Sequence, residues 1–175
     1  VITPPNSFIA STAAIVHLGA KPIFADVKED QSIDPKEIEK KINLNTKAIM
    51  PVHLSGNPCD MDQIKNISKK YKIPIIEDAA QAIGSQYKNF FLGTIGEIGC
   101  FSAHPLKNLN ALGDAGYMVT NNKNFANKAK LLRNHGIEKR NKILNFGYVS
   151  RMDNFQAAIL NLRLKKLKKT ISKRQ

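Results

Sequence analysis

Ile73-Pro74-Ile75-Ile76-Glu77-Asp78, continuing into Ala79-Ala80-Gln81-Ala82, is the stretch that decides the fold. A short apolar run of this kind reads as a strand buried on both faces, which is the habit of parallel sheets. Open α/β sheets bind their ligands outside the carboxyl ends of the strands. Asp78 therefore stands where a site is expected.

Outward from this strand the chain alternates strand and helix. Residues 7–18 read as a helix stopped by Gly19, and 22–26 as a short strand. Asp34-Pro35-Lys36-Glu37 has the form of a capping box with Pro at the first helical position, so a helix runs to about Ile42. Residues 47–52 are the next strand, and Asp60 caps a helix through Tyr71. Residues 85–94 resemble a hairpin turning at Lys88-Asn89. Residues 98–102 and 117–120 are further strands, and 122–134 is a helix. Residues 135–147 are polar and read as irregular, and Asp153 is expected to cap a last helix running to about Lys169. This alternation predicts a three-layer α/β fold, a mostly parallel sheet with flanking helices. Two portions are expected, 1–135 and 136–175, because the alternation lapses after 135.

The chain has 175 residues and a formal net charge of +13. The length suits one domain with a real core. It opens in a strand without an initiator Met and stops in a basic helix with no cap, so it reads as part of something larger. No signal peptide and no membrane-spanning apolar run is legible. Cys59 and Cys100 are far apart and lack a CxxC partner, which fits a cytoplasmic protein with free thiols. The positive charge admits a nucleic-acid-binding domain. Yet the dense block, residues 164–169, alternates with Leu like the wet side of an amphipathic helix, and no zinc finger or RNA-binding aromatic motif accompanies it. Partners in nucleic acid or membrane are not expected.

Two residues carry the chemistry. A carboxylate at Asp78 can keep a pyridine nitrogen protonated, and an amine at Lys107 can form a Schiff base. Together they suggest a pyridoxal phosphate enzyme. Each has a plainer reading. Asp78 could cap the next helix, Gln81 could cap or face solvent, and Lys107 is one lysine among many. The spacing Asp-x-x-Gln, then Ser102, then Lys107 five residues later is more specific than its parts. Among the histidines, His17 reads as packing, His53 as an orienting group, and His104 as a pocket residue. No pair has metal-ligand spacing, so no metal is expected. No G-x-G-x-x-G opens a helix, which argues against a nicotinamide-dependent dehydrogenase.

Glu77-Asp78-Ala79-Ala80-Gln81-Ala82, Gly99-Cys100-Phe101-Ser102 and His104-Pro105-Leu106-Lys107-Asn108 closely resemble the sugar aminotransferases of the DegT/DnrJ/EryC1/StrS family. So do His53-Leu54-Ser55-Gly56, Arg133-Asn134-His135-Gly136 and Ser150-Arg151-Met152-Asp153. The resemblance spans essentially the whole chain and implies the aspartate-aminotransferase-like large domain, fold type I, here incomplete. It implies that Lys107 binds pyridoxal 5'-phosphate covalently and later moves a proton. It further implies that Asp78 pairs with the ring nitrogen, Gln81 contacts the ring's phenolic oxygen and Ser102 binds the phosphate. Phe8 matches the aromatic that stacks on the ring, although a core residue at a helix start would look the same. Arg151 would reach across a homodimer interface towards the partner's site.

The sequence departs from the family pattern in three main places and, more mildly, in a fourth. A Gly-rich phosphate turn would lie upstream of residue 1, and a small C-terminal domain would follow residue 175. Val149 stands where many members have an Asn that reaches the partner's phosphate. Ala115 replaces a frequent Gly, which matters only if that position needs φ > 0. A dehydrating sister group carries His in place of Lys107, so amino transfer is favoured. The implied reaction moves an amino group from glutamate to a nucleotide-linked keto-sugar, for surface polysaccharide or antibiotic sugar synthesis. An inactive fragment and a basic nucleic-acid-binding domain are the alternatives.

Overall fold

The computed structural model describes residues 1–174. Its strands are Ile2–Thr3 (β1), Ile23–Phe24 (β2), Ile76–Asp78 (β3), Gln86–Tyr87 (β4), Phe90–Phe91 (β5), Ile98–Ser102 (β6), Gly116–Val119 (β7), Ile137–Lys139 (β8) and Lys142–Ile143 (β9). Its helices are Ile9–His17 (α1), Pro35–Lys41 (α2), Met61–Tyr71 (α3), Lys123–Leu132 (α4), Asn154–Leu164 (α5) and Leu167–Ser172 (α6).

Parallel pairing organises these pieces. β1 pairs with β2, and β3 with β6, both in parallel. Segment 48–52 joins the two pairs by parallel bridges, Ile49 to Ile2 and Ile75, and Val52 to Asp78. The order across the sheet is thus β2, β1, segment 48–52, β3, β6, with β7 antiparallel at the end. The expected strand at 47–52 is this segment, held by Met50 N–H to Ile2 O at 2.7 Å and Ile76 N–H to Ile49 O at 2.9 Å. It is not a continuous ladder because Pro51 and Pro74 have no N–H to give.

Asp34 and Asp60 cap their helices, although the reciprocal half of the box at Asp34 does not form, since Asp34 N–H bonds Asp26 O and Glu37 pairs with Lys40. Asp34 accepts from Lys36 N–H at 2.8 Å and Asp60 from Gln63 N–H at 3.1 Å. Such caps are worth about 1 kcal/mol each. Apolar faces of α2 and α3 then close over the sheet. Ile38, Met61 and Ile64 are fully buried against Ile2, Ile49 and Ile75, and burying an Ile side chain contributes about 1.5–3 kcal/mol. A second core joins Ala103, Leu109 and Ala111 to Leu160 of α5. The β4–β5 hairpin turns at Lys88, which takes φ 54°, as the Lys88-Asn89 signal predicts.

Four readings need correction. Residues 135–147 are not irregular throughout, since they carry the β8–β9 hairpin. Their polar, lysine-rich sequence hides the pairing because both strands are exposed, so no buried face imposes an apolar alternation. Asp153 makes no side-chain cap, and the last helix breaks at residues 165–166 before restarting as α6. His17 is exposed rather than packed. Along the fold the charge divides unequally: residues 1–120 hold 12 Lys/Arg against 12 Asp/Glu, and residues 121–175 hold 15 against 2. Among the described residues no helix is long and apolar enough to cross a membrane.

Glu77 is the buried anchor of the sheet's carboxyl edge. Its carboxylate is fully buried. It accepts from His53 Nε2 at 2.9 Å, Gly93 N–H at 2.7 Å, Ile95 N–H at 2.7 Å and Gly96 N–H at 2.6 Å. His53 Nδ1 accepts from Cys59 N–H, so the ring proton sits on Nε2, facing Glu77. The 93–96 turn can lie this close only because Gly99 has no side chain: a Cβ there would meet Gly93 O at 1.9 Å. Burial alone would raise the Glu77 pKa, but the bonds from His53, Gly96 and Gly93 outweigh it and hold it below the ordinary 4.5. A carboxylate with a depressed folded pKa stabilises fully above its unfolded value and loses that contribution as pH falls through the folded one. Stability should therefore decline below about pH 4.5, the unfolded value. Glu77→Gln should cost about 1–3 kcal/mol at neutral pH for each buried donor left without an acceptor, and flatten that acid limb, measured by denaturant unfolding across pH. Parallel acid limbs in the two proteins would remove Glu77 from this role.

Candidate active site

The chain passes from β1 to β2 on one side of it, then returns past β1 to segment 48–52 on the other. This reversal makes a crevice at the carboxyl ends of the strands. Each exit delivers part of the site. Phe8 and Ser11 follow β1, Ser55 follows segment 48–52, Asp78 and Gln81 end and follow β3, and Ser102, His104 and Lys107 end and follow β6. A cavity of about 490 Å³ is lined by Phe8, Asp78, Gln81, Ser102, His104 and Lys107, with Asp114 and Ala115 at its edge. Six of the seven residues singled out in the sequence thus meet in one place. Arg151 does not line this cavity. It is exposed on the approach to α5.

Alternation along β3 separates its two acids. Glu77 turns into the protein and Asp78 into the cavity. One Asp78 oxygen accepts from Ser11 Oγ at 2.6 Å and the other from Ala80 N–H at 3.1 Å. Ser11 must donate here because a carboxylate only accepts, so the 2.6 Å contact between Ser7 and Ser11 runs from Ser7 to Ser11. The cap reading of Asp78 is partly met, by a turn at Ala80 rather than by a helix. Gln81 Oε1 accepts from Ser55 N–H at 2.7 Å, which leaves its amide N–H groups as donors. Ser55 reaches this bond from a left-handed conformation, φ 54°, a strained arrangement for a residue with a side chain. Phe8 is no core residue: it is 71% exposed, with its ring over the cavity side of α1.

Lys107 sits at the tip of a turn closed by its own N–H to His104 O at 2.8 Å. His104 Nδ1 accepts from Leu106 N–H at 3.2 Å, so its ring proton is on Nε2, 4.0 Å from Asp114 Oδ1. Among the described residues Lys107 has no ion-pair partner. Ser102 Oγ accepts from His104 N–H at 3.3 Å and keeps its own proton to donate. Ala115 does not take positive φ, so the missing glycine costs nothing there. No group of three His, Cys, Asp or Glu is placed to hold a metal among the described residues.

Ser11 and Ser55 are the site residues that the sequence did not disclose. Ser11 lies three residues after Phe8, but its bond to Asp78 spans 67 positions. No local pattern encodes such a pairing.

With this geometry in place, comparison defines the class. The chain is similar along residues 1–175 to the DegT/DnrJ/EryC1/StrS aminotransferase family. It is 44% identical over 165 residues to dTDP-3-amino-3,6-dideoxy-alpha-D-galactopyranose transaminase of Aneurinibacillus thermoaerophilus, covering 94% of this chain and 46% of that one. The crystal structure of S. venezuelae DesV in complex with a ketimine intermediate superposes with a TM-score of 0.92 at 37% identity, over 96% of this chain and 46% of that one. That of ntda from Bacillus subtilis with bound cofactor PMP gives 0.88 at 40% identity, over 95% and 38%. The protein belongs to the DegT/DnrJ/EryC1/StrS aminotransferase family. It has the fold expected of it, the α/β large domain of fold type I. The chain spans about half the length of the curated relatives it matches.

Removing the Ser11 hydroxyl tests how Asp78 is held. Ser11→Ala should cost about 1.5–3 kcal/mol, the range for a hydrogen bond to a charged group, while Ser11→Thr should stay close to the parent in denaturant unfolding. Equal losses in both variants would contradict the bond's importance.

Proposed function

We propose that this chain carries the cofactor-binding part of a pyridoxal phosphate-dependent aminotransferase, which passes an amino group from glutamate to a nucleotide-linked keto-sugar. One observation carries the reading: Asp78 and Lys107, from neighbouring strand exits, open onto the same cavity beside Gln81, Ser102 and Phe8. That donor set fits the cofactor. It offers an anion for a ring nitrogen, an amine for an aldehyde, amide N–H groups for a phenolic oxygen, a free hydroxyl for a phosphate and an aromatic face. The transaminase and PMP-bound relatives support the same assignment.

Pyridoxal phosphate, when bound, supplies a protonated ring that takes up the electron pair released at the donor's α-carbon. Asp78, fixed by Ser11 and Ala80, keeps the proton on the ring nitrogen. Gln81, fixed by Ser55, donates to the ring oxygen. Phe8 would cover one face of the ring and exclude water from it. Lys107 would hold the cofactor through its amine and would carry the proton at the substrate carbon. His104 lies on the substrate side, held by Leu106 N–H.

Residues 1–135 form the cofactor-binding portion in this reading, and 136–175 the interface loop and helix. Phe146 is 100% exposed, Tyr148 60% and Val149 66%. Apolar exposure of this size favours a second copy as partner, with Arg151 reaching across the homodimer. Val149 offers no hydrogen bond there, so this cross-subunit phosphate contact is absent. The enzyme would act in the cytoplasm, on sugars destined for surface polysaccharide or antibiotics.

Incubation with pyridoxal phosphate and borohydride reduction should place the cofactor on Lys107, read by peptide mass mapping. A Lys107→Ala variant labelled to the same extent would end the assignment. Asp78→Asn should still be labelled yet lose at least about 10²-fold in kcat, the scale of a lost electrostatic contact at a reacting centre. Unchanged turnover would remove Asp78 from its role.

A further inference from the structure

The turn that carries Lys107 is not held by its own strands alone. Residues 103–112 leave β6 and return towards β7 through Ala103 N–H to Ala115 O and Ala111 N–H to Ala103 O, both 2.8 Å. The rest of the turn leans on a helix more than forty residues further along the chain. Gln156 Oε1 accepts from Leu112 N–H at 2.9 Å. Arg163 Nη1 donates to Asn110 O at 2.8 Å and to Ala111 O at 3.2 Å. Arg174 Nη1 donates to Asn108 Oδ1 at 2.8 Å and to Leu106 O at 3.2 Å. Beneath these polar contacts, Leu109 and Ala111 pack on Leu160.

Arg163 is the central member. Its guanidinium is partly shielded and spans two carbonyls that no strand or helix satisfies. Charge-assisted bonds of this kind are about twice as strong as neutral ones. Among the described residues Arg163 has no acidic partner, so its interactions are spent on the turn.

We propose that Arg163 is a positioning residue for amino transfer, acting through the Asn110 and Ala111 carbonyls to fix the turn from which Lys107 reaches the cavity. The proposal rests on the role given to Lys107 above. Arg163 touches neither the cavity nor its contents. It braces the outer side of the turn, while His104 braces the inner side through Leu106 N–H. A lysine at the tip of an unbraced turn would sample several positions, and a displacement of about 1 Å at a reacting group can cost about 10²-fold in rate.

The test compares three variants of the cofactor-loaded protein. Arg163→Met removes the donor but keeps the apolar stem. Arg163→Lys keeps one donor. Ile64→Val lowers stability from the other core, with no contact to the turn. Arg163→Met should lower kcat about tenfold to a hundredfold, with KM for the amino donor changed less than about threefold. It should also shift the pH titration of the cofactor's visible absorbance. Arg163→Lys should recover to within about threefold of the parent. Ile64→Val should leave kcat and the absorbance titration unchanged despite a lower melting temperature. If Arg163→Met keeps the parental kcat and titration, or if all three variants track melting temperature alone, the proposal falls. Amide hydrogen exchange of residues 106–112 without cofactor separates this outcome from failure of the Lys107 assignment. Faster exchange in Arg163→Met and not in Ile64→Val supports the brace even where borohydride leaves Lys107 unlabelled. Equal exchange in both overturns it.

Discussion

Pairing of β3 between segment 48–52 and β6 is the constraint on which the molecule depends. It fixes the direction of two consecutive carboxylates by the alternation of a pleated strand. Glu77 goes inward and collects one imidazole and three backbone N–H groups. Asp78 goes outward into the cavity. A slip of one residue in the register would exchange them. The buried position would then hold the shorter acid, unable to span His53 and the 93–96 turn, and the cavity would lose its anchored anion. Burying four bonded partners around Glu77 makes that slip costly, so the anchor protects the geometry of its neighbour.

The site is assembled from groups that are each restrained by at least one bond from the surrounding backbone or side chains. Asp78 is held by Ser11 and Ala80, Gln81 by Ser55, and His104 by Leu106. Lys107 is held through its turn, from inside by His104 and from outside by Arg163 of α5 and Arg174, which follows α6. Asp78, Gln81 and His104 are therefore fixed at their functional atoms, while Lys107 is free at its tip and fixed at its base. Preorganisation of this sort is what electrostatic and proton-transfer roles require, because groups already in place need not be ordered during reaction.

Charge is divided along the chain in a way that composition conceals. The portion that builds the sheet and cavity is balanced, and the surplus lies on α4, the β8–β9 hairpin, α5 and α6. Part of that surplus is structural, since Arg163 and Arg174 brace the Lys107 turn. These two arginines lie outside the 164–169 block that reads as a solvated face, and they bond to backbone carbonyls or a side-chain amide.

By itself the sequence determined the alternation of strands and helices, the caps at Asp34 and Asp60 and the β4–β5 turn. These are local matters: an apolar run, a cap residue and a turn dipeptide each act within a few positions. It missed the β8–β9 hairpin, the break at 165–166 and the exposure of His17, because those depend on what packs, or fails to pack, against them. Only the tertiary structure decided that Ser11 holds Asp78, that Ser55 orients Gln81 and that α5 braces the Lys107 turn. Those bonds join residues 26 to 67 positions apart. Such partners are chosen by the folded sheet's geometry, which leaves no periodic trace in the chain that forms it.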